Sequence, residues 1–280
     1  MRCAVLQLNS QEDQEANLEQ VRYWVQEAAA QGAELVLLPE GFAFLGLERQ
    51  RRQHAESFDE PGPVLQSLSH WSREFGLYLI AGGFPECSHD SRRPYNTSVV
   101  YDPRGERKSF YRKVHLFRVH LEDGTVLDET KGSLAGDSAV VTTVADSKGE
   151  SFSLGLSICY DLRFPQFYQA QRNAGAEILT VPAAFTATTG RAHWQSLLRA
   201  RAIENQSWVL AAAQEGQHPG GRSTYGHSMI IDPWGRVVRE LKEGPGLVIA
   251  NLSKQSLAEV REQMPVAEDR REFDLLIHKP

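Results

Sequence analysis

The sequence repeats two short patterns in the same order, and this repetition constrains the fold more than any other feature. Residues 30–39 read AQGAELVLLP and residues 173–182 read NAGAEILTVP, so in both an apolar run ends at a proline. Residues 102–105 read DPRG and residues 232–235 read DPWG, a pattern typical of a type I turn. The shared order predicts two copies of one strand–helix–strand–hairpin unit, with an insertion near residues 115–150. The alternative is that two common patterns recur by chance.

The first copy indicates how such a unit folds. Residues 3–8 are an apolar run typical of a buried strand. Leu18, Val21 and Val25 then recur at helical spacing, and residues 34–38 are mostly apolar again. Strand, helix and strand in this order predict an α/β fold.

Two such units are expected to pack against each other. Each has a sheet with helices on one face, and burial of the two bare faces gives a four-layer αββα sandwich of two pseudo-symmetric halves. We expect one domain over residues 1–252, with a cleft between strand ends. We expect residues 253–280 to form a charged C-terminal tail that contacts another subunit.

Composition narrows the class of protein. The 280 residues carry a formal net charge of −6, which argues against nucleic acid or an anionic membrane as a partner, because both require a basic face. No apolar stretch approaches the roughly 18 residues that span a bilayer, and the N-terminus is interpreted as a first strand rather than a signal peptide. Cys3, Cys87 and Cys159 lack close spacing, which favours a reducing cytoplasm. CxxC, HExxH and EF-hand spacings are absent, so no structural metal is expected.

Four residues are candidates for chemistry, and each also has a simpler explanation. Cys159 follows a predicted strand and precedes a helix expected to begin near Pro165, where the helix dipole favours a thiolate; a buried, unreactive cysteine is the alternative. Glu40 ends an apolar strand at the edge where α/β sheets bind ligands, or it is a solvated carboxylate. Lys113 is either catalytic or a surface lysine, and Glu129 carries no signal of its own. The scattered histidines have no ligand spacing and are expected to be structural.

Three segments together carry a more specific signal. LLPE ends at Glu40, YRKVHL contains Lys113 and ICYDLRFP contains Cys159, and this combination resembles the nitrilase superfamily of carbon–nitrogen hydrolases. The resemblance implies an αββα sandwich and a Glu-Lys-Cys triad that cleaves amides without a metal or organic cofactor. It implies that Cys159 is the nucleophile, that Glu40 transfers protons, and that Lys113 and the backbone N–H of Tyr160 stabilise the oxyanion. It also implies that Glu129 is a second acid, which holds Lys113 and the attacking water.

Segments of the second half indicate a substrate. Residues 201–214 and 225–235 resemble the branch of this superfamily that acts on deaminated glutathione, in which a ketone replaces the terminal amine. Because that substrate bears two carboxylates, we expect nearby cations. Arg163 and Arg191 are the candidates, with Thr186 as a hydrogen-bond donor. An omega-amidase or related aliphatic amidase is the second hypothesis, and a non-catalytic binding protein that retains the fold is the third.

Two features depart from that branch near the expected mouth of the pocket. Arg118 stands where relatives commonly place an acidic residue, and residues 122–126 form a loop without a counterpart. We therefore expect the sequence to specify the chemistry more closely than the substrate.

The tail also suggests self-association. Residues 264–266, Met-Pro-Val, look suited to cover a neighbouring surface, and the family resemblance implies the same. We expect a homodimer or a higher even-numbered homo-oligomer, with a small-molecule amide as the substrate.

Overall fold

The computed structural model describes residues 1–120 and 126–278, and its strands form two large sheets and one small one. The first half contains β1 (Arg2–Leu8), α1 (Gln14–Ala30), β2 (Leu35–Leu37), α2 (Glu48–Arg51), α3 (Pro63–Phe75), β3 (Tyr78–Glu86), β4 (Tyr95–Tyr101) and β5 (Arg107–Arg112). A small separate hairpin, β6 (Arg118–His120) and β7 (Val126–Asp128), follows.

The second half contains β8 (Val140–Ala145), β9 (Ser151–Leu156), α4 (Pro165–Asn173), β10 (Ile178–Thr180), α5 (Ala187–Asn205), β11 (Trp208–Ala211), β12 (Ala213–Gln217), β13 (Ser223–Tyr225), β14 (Ser228–Ile231), β15 (Val237–Leu241), β16 (Gly246–Asn251) and α6 (Lys254–Gln263). Short 3-10 helices cover Arg52–His54, Glu129–Lys131, Cys159–Arg163 and Pro219–Gly221. Within the two described ranges, no helix is both long enough and apolar enough to cross a membrane.

The strand order confirms the internal repeat. In the first sheet β1 to β5 lie side by side in chain order; β1, β2 and β3 are parallel, and β4 and β5 are each antiparallel to the strand before. In the second sheet β9, β10, β11, β14 and β15 show the same order and the same directions. The first repeated pattern coincides with β2 and β10, and the second forms the turns after β4 and β14.

Both turns are closed in the same way. The N–H of Gly105 donates to the carbonyl of Asp102 at 2.8 Å, and the N–H of Gly235 donates to the carbonyl of Asp232 at 2.9 Å. The two glycines have φ values of 78° and 85°, a conformation that residues with a Cβ disfavour. This backbone requirement explains why glycine recurs at the fourth position.

Strands from the end of the chain join the two halves. β16 returns to pair antiparallel with β1 along Arg2–Gln7, and β12 pairs parallel with the last two residues of β1. The first sheet is therefore completed by segments of the second half, whereas the second sheet consists of second-half strands alone.

Side chains along β1 alternate between two hydrophobic clusters. Cys3 and Val5 belong to a cluster that contains residues of both sheets, whereas Ala4, Leu6 and Leu8 pack in a second cluster with helix residues such as those of α1 and α3. Successive side chains of a strand point to opposite faces, so a strand covered on both faces is apolar throughout. The arrangement accounts for the continuous apolar run and places β1 between a sheet and a helix layer, as the four-layer sandwich requires.

The C-terminal segment has two parts. In α6, Leu257 is buried and the Arg261 guanidinium donates to the carbonyls of Gln206 and Ala176, so this helix packs on the second half. The following residues 264–278 are mainly exposed, including Phe273 and residues 275–277.

Candidate active site

A cavity of about 390 Å³ brings together residues from four separate segments. Glu40 lies just after β2, Lys113 follows the last residue of β5, Glu129 begins a 3-10 helix after β7, and Cys159 begins another after β9. All four line the cavity. The cleft expected between strand ends therefore exists, and it contains every residue of the expected triad together with the second acid.

Lys113 lies between two carboxylates. Its Nζ donates to Glu40 Oε1 at 3.0 Å and to Glu129 Oε2 at 2.8 Å. The Lys113 side chain is only 2 % exposed, so its charge has lost most of its hydration and depends on these two partners. Burial alone would lower the pKa of Lys113, but the charges of Glu129 and Glu40 raise it well above its usual range. Lys113 is therefore a fixed ammonium at the bottom of the cavity.

Asn96, on β4, links the same two carboxylates, and the sequence analysis did not identify it. Its Nδ2 donates to Glu40 Oε1 at 2.8 Å and to Glu129 Oε1 at 3.1 Å. An asparagine within a strand has no local pattern that marks it as a ligand of carboxylates, because its partners come from residues 56 and 33 positions away. Its side chain fixes the separation of the two acids.

Glu40 is also anchored on its other oxygen. The N–H of Ala184 donates to Glu40 Oε2 at 2.9 Å, and the Cys159 thiol lines the same cavity. Burial would raise the pKa of Glu40, but the Lys113 ammonium and the hydrogen bonds from Cys159, Lys113 and Ala184 lower it to about 2. Glu40 is therefore an ionised proton acceptor in the same cavity as the thiol.

The Cys159 thiol is protonated in the resting site. Burial and the charge of Glu40 raise the pKa of this thiol well above its usual range, against the opposing effect of Lys113. The sequence predicts that a helix start helps to form the thiolate, but the pKa of this thiol is nevertheless raised. Burial disfavours the charged thiolate, and the negative charge of Glu40 disfavours it further.

The backbone at Cys159 is strained. Its φ is 50°, a left-handed conformation that costs a residue with a Cβ free energy on the order of 1–3 kcal/mol. The N–H of Cys159 donates to the carbonyl of Pro182 at 2.8 Å, which helps to fix the turn. The strain is consistent with a side chain that must point into the cavity rather than along the strand.

The buried carboxylate of Asp161 holds this turn to the segment that carries Lys113. It accepts hydrogen bonds from the N–H of Ile158 at 2.8 Å, the hydroxyl of Tyr111 at 2.7 Å and the N–H of His115 at 3.1 Å. The His115 ring also lies 2.7 Å from Asp161 through Nδ1. One carboxylate thus fixes the nucleophile relative to the lysine.

The residues expected to bind substrate are divided between the cavity and the surface. Tyr160 and Thr186 line the cavity, but Arg163 and Arg191 do not. The Arg163 guanidinium lies 3.4 Å from His193 Nδ1 and over the ring of Phe185. Arg191 lies on an exposed face of α5. The sequence shows neither the phase of α5 nor the contacts of Arg163, which is why these arginines could not be placed from it.

Two sequence features, Arg118 and the loop of residues 122–126, were expected to lie near the mouth of the pocket. Arg118 lies in β6, and Val126 lines the cavity. Residues 122–125 lie outside the described residues. No group of three or more His, Cys, Asp or Glu side chains within 1–120 and 126–278 is arranged to hold a metal ion.

The fold and the cavity together are those of an αββα hydrolase, with a cysteine, a glutamate and a lysine in one pocket. The carbon–nitrogen hydrolase family pattern matches residues 2–262. The chain belongs to that family, which confirms the resemblance to the nitrilase superfamily.

Known relatives agree with this assignment. Deaminated glutathione amidase of Synechocystis is 43% identical over 268 residues, which cover 95% of this chain and 97% of that protein. The crystal structure of Nit3 from Saccharomyces cerevisiae, a nitrilase superfamily member, is 30% identical, covers 97% of each chain and has a TM-score of 0.85. The structure of a glutamine-for-glutamate variant of an amidase from Nesterenkonia sp. AN1, whose active-site cysteine has added acrylamide, is 26% identical. The match covers 96% of this chain and 99% of that chain, with a TM-score of 0.78.

Proposed function

We propose that this protein hydrolyses the amide of deaminated glutathione through a thioester on Cys159. The observation that carries the proposal is that Cys159, Glu40 and Lys113 line one cavity, with Lys113 Nζ 3.0 Å from Glu40 Oε1. The relatives named as deaminated glutathione amidases support the choice of substrate. The products are 2-oxoglutarate and cysteinylglycine.

The first half of the reaction forms the thioester. Cys159 Sγ attacks the amide carbonyl while its proton moves to Glu40, since the pKa values keep that proton on sulfur until the S–C bond forms. The oxyanion is stabilised by Lys113 and the N–H of Tyr160. The C–N bond then breaks, and Glu40 returns the proton to the departing nitrogen.

The second half of the reaction restores the enzyme. Glu40 takes a proton from water, the hydroxyl adds to the thioester carbonyl, and the same donors stabilise the second oxyanion. The C–S bond breaks and the sulfur recovers the proton from Glu40. Glu129 holds Lys113 and helps to orient the water, a role supported by its 2.8 Å contact with Nζ.

The test of the substrate is a pair of specificity constants on one preparation. Deaminated glutathione and 2-oxoglutaramate share the acyl group, so they differ only in the leaving group. We expect a much higher kcat/KM for deaminated glutathione, because binding energy from the cysteinylglycine portion orients the amide. Equal values, or a preference for the short amide, would make the protein an omega-amidase instead.

Two cysteine variants complete this test. Cys159→Ala removes the nucleophile and is expected to abolish turnover of both amides, whereas Cys87→Ala, at an exposed free cysteine, is the matched control and should be silent. A folded wild-type protein without activity on either amide would favour the non-catalytic binding protein.

We also propose that the protein is a homo-oligomer. Phe273, Leu275 and Leu276 are more than three-quarters exposed in the single chain, and an exposed apolar segment of this kind favours association. Sedimentation at micromolar concentration should give a mass that is an even multiple of the 31.4 kDa of one chain. A monomer as the sole species would contradict the proposal.

A cytoplasmic location is proposed on the state of the cysteines. Cys3, Cys87 and Cys159 are all free thiols, which is typical of proteins in a reducing compartment. Fractionation of the native cell is the measurement that tests it.

A further inference from the structure

Besides Lys113, three cationic side chains line the cavity, and they differ in what already neutralises them. Arg51 has Glu48 at 3.6 Å and Glu129 at 3.8 Å, so its charge is shared by two carboxylates. Lys131 is exposed, and its charge helps to lower the pKa of Asp128.

Arg222 is the third cation, and no partner neutralises it within the described ranges. No carboxylate oxygen among residues 1–120 and 126–278 lies within 4.0 Å of its guanidinium. The residue is half-buried and lines the cavity. A cation without a counter-ion beside a pocket attracts anionic ligands, because partial burial strengthens its interaction with them.

The loop that carries Arg222 is firmly held. The N–H of His218 donates to the carbonyl of Arg222 at 2.8 Å, and the buried His218 ring contacts the carbonyl of Ser10 and the hydroxyl of Thr224. Thr224 in turn forms a β-bridge with Thr186, which lines the cavity. Arg222 is therefore presented to the cavity by a fixed backbone, as recognition of a defined charge requires.

We infer that the Arg222 guanidinium binds a carboxylate of the amide substrate and selects anionic amides. The inference rests on the proposed function, because deaminated glutathione bears one carboxylate on its acyl end and another on its glycine end. Guanidinium groups match carboxylates with two parallel N–H donors. Neither Arg163 nor Arg191, the arginines expected from the sequence, lines the cavity in which this contact would form.

The experiment compares Arg222→Gln and Arg222→Lys with Arg236→Gln as the control. Arg236 is an exposed arginine in the turn before β15 and does not line the cavity. The substrates are deaminated glutathione, the same molecule with its glycine carboxylate amidated, and 2-oxoglutaramate. Alkylation of Cys159 by uncharged iodoacetamide reports whether the site is intact in each variant.

Arg222→Gln is expected to lower kcat/KM for deaminated glutathione about ten- to hundredfold, the usual cost of losing a charged hydrogen-bond pair. The loss should be mainly in KM, Arg222→Lys should recover part of it, and the iodoacetamide rate should not change. If amidation of the glycine end removes the effect of the variant, Arg222 binds that end. If the effect persists with the amidated compound and with 2-oxoglutaramate, Arg222 binds the acyl end.

Two results would overturn the inference. One is an Arg222→Gln enzyme with unchanged kcat/KM on all three compounds. The other is a loss in which Arg222→Gln and Arg222→Lys lower kcat and the iodoacetamide rate by the same factor, which would indicate a structural role. Failure of the proposed substrate is distinguishable, since it would show as poor turnover of deaminated glutathione by the wild-type protein while 2-oxoglutaramate still reports on Arg222.

Discussion

Replacing Glu40 by Gln is expected to change two reactions of Cys159 in opposite directions. Hydrolysis of amides should fall by about 10²- to 10⁴-fold, the usual contribution of a general base. Alkylation by iodoacetamide near neutral pH should become faster. The reason is that the negative charge of Glu40 and its hydrogen bond both raise the pKa of the thiol.

The size of the second effect follows from electrostatics. Two unit charges about 4 Å apart in an effective dielectric of about 20 interact by about 4 kcal/mol. The variant keeps the Lys113 ammonium, which favours the thiolate. Even a third of that energy raises the thiolate fraction about tenfold, so we expect at least that gain in the alkylation rate.

The assay is the rate of iodoacetamide addition to Cys159, followed by intact mass from pH 6 to 10. In the wild-type protein the rate should still be rising at the alkaline end, because burial and Glu40 raise the pKa of the thiol. In Glu40→Gln the profile should move to lower pH. Glu129→Gln makes the same chemical change in the same cavity but at a residue that contacts Lys113, and it should move the profile less. A slower alkylation of Glu40→Gln than of wild type at neutral pH would refute the reasoning.

Two further predictions concern the groups around the nucleophile. Lys113→Ala should lower turnover about 10²-fold or more through loss of oxyanion stabilisation, and it should raise the pKa of Glu40, which Lys113 lowers; an acid limb of kcat/KM that does not move to higher pH would contradict this. Asp161→Asn should reduce the free energy of unfolding by about 1–3 kcal/mol, because an amide cannot accept all the hydrogen bonds that the buried carboxylate accepts. The same variant should lower kcat, since the strained turn of Cys159 loses a support, and a variant with wild-type melting temperature and kcat would show that this carboxylate is dispensable.

The sequence predicts the fold well because its signals are local. The apolar run of β1, the residues around β2 and β10, and the two turns that end at Gly105 and Gly235 each depend on neighbours within a few positions. The spacing of apolar residues and the residue types of a turn are both recognised within a few consecutive positions. The order of the repeats then restricts the ways in which the strands can pair.

The candidate site could be predicted only in part. Glu40 and Cys159 stand at the ends of predicted strands, Lys113 was identified by the family resemblance, and the structure brings all three into one cavity. Asn96 and Asp161 were missed as site residues, because each acts through partners that are distant in sequence. The raised pKa of the thiol could not be predicted either, because it depends on burial and on the charge of Glu40, more than a hundred positions away.

The central claim is a thioester shared by all substrates, and partitioning to hydroxylamine tests it most directly. Deaminated glutathione and 2-oxoglutaramate form the same acyl group on Cys159, so the thioester is identical whichever leaving group has departed. With a fixed concentration of hydroxylamine, the account predicts the same ratio of hydroxamate to 2-oxoglutarate from both amides, whatever their individual rates. Ratios that differ between the two amides, or hydrolysis without any hydroxamate from either, would contradict a common acyl-enzyme.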